Sequence, residues 1–230
     1  DIYFTTDMGT TWNTFSHLDP SQTWTGEFFT TSIGPMGPLT VGTRGMINGW
    51  VPVSDAGTSY NTWLKSGTLY DISVQSVERV VAGGQPGISG TIFDQVVYSG
   101  DFGETWGIAT FSDSMTQDVN DIVMVDTLTG YFCGDEGRVY KTNDGGMNWT
   151  FVSDPTTLEL EEIIFFDENV GYTFGDDGAA FKTIDGGITW SKLGPENGLP
   201  DPNFKNIGRI GLTIHQSNPS VLYALYNDGS

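Results

Sequence analysis

The side chains best placed to do chemistry in this 230-residue sequence are acids. Asp118 and Asp121 precede one short apolar run, and Glu161 and Glu162 precede another at the matching place of a later segment. Two carboxyls across a cleft can divide the work of proton donor and base or nucleophile, the division that glycoside hydrolysis uses. Acids beside turns more commonly sit in solvent, and that is the expectation for all four. Asp135-Glu136-Gly137, Asp176-Asp177-Gly178 and Asp118-Val119-Asn120-Asp121 also offer hard oxygens that suit Ca²⁺. None has the alternating-acid spacing of a calcium-binding loop, and the turn chemistry of Asp and Gly accounts for them. Calcium is thus the one cofactor the residue types admit, and none is expected. His17 and His215 stand far from each other and from Cys133, which leaves no zinc spacing. Cys133 lies in an apolar run and reads as a small buried residue rather than a nucleophile.

What must position these groups is a unit that recurs. Thr183-Ile184-Asp185-Gly186-Gly187-Ile188-Thr189-Trp190 has close copies at residues 5–12, 99–106 and 142–149, and a degenerate one at 53–60 without the leading Ser/Thr or the Trp. The aspartates Asp7, Asp55, Asp101, Asp144 and Asp185 follow one another at steps of 48, 46, 43 and 41 residues, a period that belongs to an array of small supersecondary units. An Asp carboxylate can accept from the backbone N–H groups that follow it. The Gly two places on, at Gly9, Gly57, Gly103, Gly146 and Gly187, can take the positive φ that a tight bend requires. The preceding Ser or Thr can bond locally, and the closing Trp12, Trp106, Trp149 or Trp190 starts the return strand with a large apolar surface to bury. Each unit is therefore a hairpin bend that carries its own fastening.

Two units align without a gap at an offset of 41 residues. Ile122–Val125 matches Ile163–Phe166, apolar runs that read as inner strands buried on both faces. Gly130–Gly134 matches Gly171–Gly175 as a second strand. Arg138–Thr142 matches Ala179–Thr183 as a third after a Gly-closed turn, and the strand from Trp149 or Trp190 is the fourth. Four strands, up and down, make one propeller blade. Earlier units are looser: residues 34–38 interrupt an inner strand, and residues 82–90 lengthen a loop. With residues 193–202, that loop is a candidate binding excursion.

The spacing S/T-x-D-x-G-x-T-W resembles the Asp-box, or bacterial neuraminidase, repeat. Residues 208–225, G-R-I-G-L-T-I-H-Q-S-N-P-S-V-L-Y-A-L, resemble a segment of sortilin-like and xyloglucanase-like secreted bacterial propellers. The resemblance covers essentially the whole chain and implies an all-β propeller of four-stranded antiparallel blades, about five blade equivalents in one domain. Both ends of the sequence fall mid-blade, which admits either a closed five-bladed ring or an arc of a larger one within a longer parent. The resemblance also implies that the boxes are structural and lie away from the ligand face. Sialidases of this kind hold a substrate carboxylate with three arginines. Here Arg44, Arg79, Arg138 and Arg209 fall on different repeats and the F/Y-R-I-P stretch is missing, so that activity is not expected.

Composition narrows the partners. The chain has 29 acidic against 9 basic side chains, a formal net charge of −20, which repels nucleic acid and anionic membrane surfaces and favours a cationic partner. No apolar run is long enough for a membrane span, and a single Cys allows no internal disulfide. The expectation is a non-catalytic, extracellular or cell-surface module that presents loops to a protein or glycan. A glycoside hydrolase of the xyloglucanase-like kind is the alternative.

Overall fold

The apolar runs between Gly-rich bends form strands throughout, and among the described residues there is no α-helix. The structure is a computed structural model that describes residues 95–199 without a break. It also describes residues 2–4, 10, 13–15, 28–34, 37–43, 46–51, 58–63, 67–76, 78–86, 210–214 and 222–226.

The strands assemble into blades in the order of the sequence. An outer hairpin, β1 (Ile2–Phe4) and β2 (Asn13–Phe15), comes first. The first four-stranded blade is β3 (Phe28–Gly34), β4 (Gly37–Gly42), β5 (Met46–Val51) and β6 (Thr58–Trp63). The second is β7 (Leu69–Ser76), β8 (Arg79–Gly84), β9 (Val96–Ser99) and β10 (Gly107–Ile108). A short connecting strand, β11 (Thr110–Phe111), then pairs in parallel with the outermost strand of the third blade. That blade consists of β12 (Val119–Met124), β13 (Gly130–Gly134), β14 (Val139–Thr142) and β15 (Asn148–Ser153). The fourth is β16 (Leu160–Phe165), β17 (Gly171–Gly175), β18 (Ala180–Thr183) and β19 (Ser191–Lys192). An inner pair, β20 (Ile210–Ile214) and β21 (Leu222–Tyr226), ends the series.

Neighbouring blades touch through their first strands, β3 on β7, β7 on β12, β12 on β16 and β16 on β20. This is the antiparallel propeller layout, with the first strand of each blade innermost. The Asp-box segments at 99–106, 142–149 and 183–190 fall between the third and the outermost strand of their blades.

The period-2 alternation of a strand sends successive side chains to opposite faces, so each blade feeds two seams. In β8, Val80 and Ala82 join Leu39, Val41 and Ile47 of the first blade, while Val81 joins Ile122, Phe132 and Trp149 of the third. In β13, Phe132 faces the second blade, and Tyr131 and Cys133 face Leu160, Ile163 and Phe165 of the fourth. The core is thus a set of layers between blades. Tyr131 stacks on Phe165 at 3.6 Å between ring centroids, and Phe132 lies 4.8 Å from Trp149.

Two expectations change. The inner strands are not fully buried on both faces: Ile122 and Met124 are buried, whereas Val123 and Val125 are only half-buried, and Ile163–Phe166 alternates likewise. Residues 34–38 do not interrupt an inner strand. Gly34, the last residue of β3, pairs with Gly37, the first of β4, so the two strands meet across this segment.

Candidate functional site

The inner strands of the four four-stranded blades carry the same irregularity near their start. The register against the second strand slips between Phe28 and Thr30, Leu69 and Asp71, Val119 and Asp121, and Leu160 and Glu162. A bulge leaves one extra residue unpaired and re-aims the next. Here it places Thr30, Asp71, Asp121 and Glu162 at equivalent positions on four adjacent blades.

These residues line a cavity of about 410 Å³ at the inner strands. Six of its lining residues are acids: Asp71 from β7, Asp121 from β12, Glu161 and Glu162 from β16, and Asp118 and Glu159 from the segments just before them. Thr30, Tyr70 and Asn120 complete the described lining, which holds no Lys, Arg or His. The expectation of solvated loop acids is therefore corrected. Asp121, Glu161 and Glu162 lie within strands, and Asp118 stands at the mouth with them.

Cross-blade hydrogen bonds hold these acids. The Ile122 N–H donates to Asp71 Oδ2 at 3.2 Å, and the Ile163 N–H donates to Asp121 Oδ2 at 2.7 Å. Asn120 Nδ2 donates to Glu159 Oε1 at 3.2 Å and to the Leu160 carbonyl at 3.0 Å, and Gln85 Nε2 donates to Asp118 Oδ2 at 3.2 Å. Protein atoms crowd the Asp121 carboxyl although the residue keeps some surface toward the cavity. Burial first, and then the neighbouring Asp71, push it well above the usual carboxylate range. Burial and then Asp135 raise Glu159, and burial and then Asp118 raise the Tyr70 phenol. Cys133, buried on β13 as expected, has its thiol pushed well up by burial and then by Asp121. Among the described residues no group of three His, Cys, Asp or Glu could hold a metal ion.

Asp71 and Glu159 were not singled out by sequence reading. The usable signal is the pattern of an apolar residue, any residue, an acid and Ile, shared by Leu69–Ile72, Val119–Ile122 and Leu160–Ile163.

The boxes form closed knots away from this mouth. In the fourth, Thr142 Oγ1 donates to Asp144 Oδ1 at 2.9 Å and accepts the Gly146 N–H at 3.0 Å. Asn148 donates to the two Asp144 oxygens through its N–H at 2.9 Å and its Nδ2 at 2.7 Å, and Trp149 Nε1 donates to the Gly146 carbonyl at 3.0 Å. Ser99, Asp101, Gly103, Thr105 and Trp106 repeat this pattern in the third box, and Thr183, Asp185, Gly187, Thr189 and Trp190 in the fifth. Gly103, Gly146 and Gly187 have φ of 92°, 89° and 85°. Asp7, Gly9, Trp12, Asp55 and Gly57 lie outside the described residues, as do Arg44, Arg209, His17 and His215.

The two described arginines are committed elsewhere. Arg79 donates to the Gly145 carbonyl at 3.2 Å, and Arg138 pairs with Asp113 at 3.3 Å. Of the two candidate loops, Ala82–Gly84 belongs to β8 and Gln85 reaches the acidic mouth, while residues 87–94 lie outside the described set. Residues 193–199 contain a short 3-10 turn at Pro195–Asn197.

No protein-family model matches the sequence, and no curated protein does. Solved structures resemble it in fold. An ancestral GH74 enzyme is similar with a TM-score of 0.53 at 18% identity, over 83% of this chain and 28% of that one. YCF48 from Cyanidioschyzon merolae gives 0.49 at 18% identity, over 85% of this chain and 63% of that one. A sialidase from Trypanosoma rangeli in complex with sialic acid gives 0.45 at 15% identity, over 98% of this chain and 47% of that one. The chain thus spans less than two thirds of the length of each, and the class that the likeness to the GH74 enzyme defines is the β-propeller fold, which carries no activity by itself.

Proposed function

We propose that the chain is a non-catalytic binding propeller, working outside the cell as part of a larger secreted or cell-surface protein, and that its acidic mouth takes a cationic segment of a protein partner. The observation that carries this reading is the collection of six acids around one cavity with no basic residue among the described lining residues. A bulge at the same place in successive inner strands repeats the arrangement. Like charges gathered on low-dielectric walls raise the local concentration of counter-charged ligands and speed their arrival.

The test is calorimetric titration of the chain with tetralysine and, separately, with tetraglutamate. Binding of tetralysine alone, weakened by salt and by Glu161→Gln, is the expected result. Equal heats for both peptides, or none, would sink the proposal. A second reading, glycoside hydrolysis, is favoured by Glu159, whose carboxyl in the cavity is held up by burial and then by Asp135, as a proton donor's would be. Release of reducing sugar from a β-glucan panel, lost on Glu159→Gln, would replace the binding proposal with that one.

A further inference from the structure

Two carboxyl groups meet at the seam between the second and third blades. The Ile122 N–H donates to both, to Asp71 Oδ2 from the neighbouring blade at 3.2 Å and to Asp121 Oδ1 of its own strand at 3.1 Å. One donor shared by oxygens of two residues brings those oxygens close together. Ionised carboxylates have only acceptors and repel each other, so two of them gathered on a single N–H favour a proton on one. The other oxygen of Asp121 accepts the Ile163 N–H at 2.7 Å, so the pair spans β7, β12 and β16.

We propose that Asp71 and Asp121 share one proton and thereby form a pH-sensitive latch across three blades, closed while the proton is held and released as the pH rises. Burial and the facing acids act in one direction, opposed by the Ile163 N–H that Asp121 accepts. Tyr70 faces the pair from β7 and Asp118 from the segment before β12, Cys133 from β13, and Glu159, Glu161 and Glu162 from the fourth blade. The segment after β13 adds Asp135, while β3 contributes only the neutral Thr30. No described lining residue supplies a positive charge that would hold both carboxylates ionised. Burial, and then the neighbouring Asp71, therefore push the Asp121 carboxyl well above the usual carboxylate range, which makes it the holder of the proton. When the proton leaves for solvent, two negative charges must share the single Ile122 N–H. Repulsion then turns one carboxylate toward the cavity, which gains one unit of charge and loses one cross-blade tie.

The test is a ¹³C NMR titration of the Asp71 and Asp121 carboxyl carbons in the intact chain, with the Ile122 amide followed in the same samples. The expected result is two coupled steps, one of them clearly above the ordinary aspartate value of about 3.9, with the Ile122 amide shift tracking that upper step. In Asp71→Asn the upper step disappears, because one carboxyl is left and the new amide can donate to it. If both carbons titrate in the ordinary range, or the upper step leaves Ile122 unmoved, the latch is wrong. The parent protein decides these outcomes even if the variant does not fold. Because the titration uses no ligand, it can fail or succeed independently of tetralysine binding.

Discussion

At the scale of single residues, the box aspartates and the cavity aspartates are opposite uses of one side chain. At Asp144 burial acts to raise the carboxyl, but hydrogen bonds from the Asn148 side chain and backbone and from Thr142 outweigh it and hold the group below its usual value. A carboxyl lowered by folding contributes stability in full above its unfolded value, near 4, and loses it as the pH falls through the folded one. Asp121 is raised instead, so its contribution is full in acid and is lost as the pH climbs through its folded value. Asp144→Ala therefore lowers stability by about 1–2 kcal/mol at neutral pH, the worth of its local hydrogen bonds discounted for its partial exposure. That deficit shrinks at pH 3, where the parent has given up part of the same contribution. Urea midpoints of both proteins at the two pH values check this, and a deficit that is the same at both would show that the carboxylate charge plays no part.

At the scale of the element, the box works because it is pressed against the next sheet. Gly146 combines a φ of +89° with a neighbour so close that an added Cβ would lie 2.7 Å from Val81 Cγ2 in the second blade. Gly187 has nearly the same φ, but a Cβ there would meet nothing nearer than Trp190 Cζ2 at 3.6 Å. Gly187→Ala thus bears backbone strain alone, about 1 kcal/mol, whereas Gly146→Ala adds overpacking of about 1–3 kcal/mol more. Thermal melts should order the parent above Gly187→Ala and Gly187→Ala above Gly146→Ala, and equal losses would show that the seam yields freely at Val81. These blades were legible in the sequence because the third and fourth repeat each other at a fixed offset and their bends name their own chemistry. The cavity was not. A period-2 reading assigns Asp121 and Glu162 to whichever face the alternation dictates, and the bulges at Asn120 and Glu161 shift that alternation by one. An inserted residue leaves no mark in a single strand, and only superposing the three inner strands brings out Asp71 with its partners.

At the scale of the whole molecule, the acids impose a cost that the fold tolerates. The chain carries a net charge of −20, and six of its carboxyls crowd one cavity from three adjacent blades. Like charges held together oppose the compact state, and a stability so sacrificed is characteristic of sites kept for binding. Removing one charge should therefore move stability and binding in opposite directions. Glu161→Gln keeps the shape of the side chain at the bulge while deleting its charge, so its melting temperature should rise above the parent's in low salt, and the gain should shrink as added salt screens the repulsion. Tetralysine binding should weaken in the same variant. A melting temperature that falls would mean that Glu161 is held by favourable partners, and a rise with unchanged tetralysine binding would place the cationic ligand elsewhere on the molecule. Only the paired result, a more stable protein that binds less well, fits a set of blades whose inner strands carry unfavourable charge for the sake of a ligand.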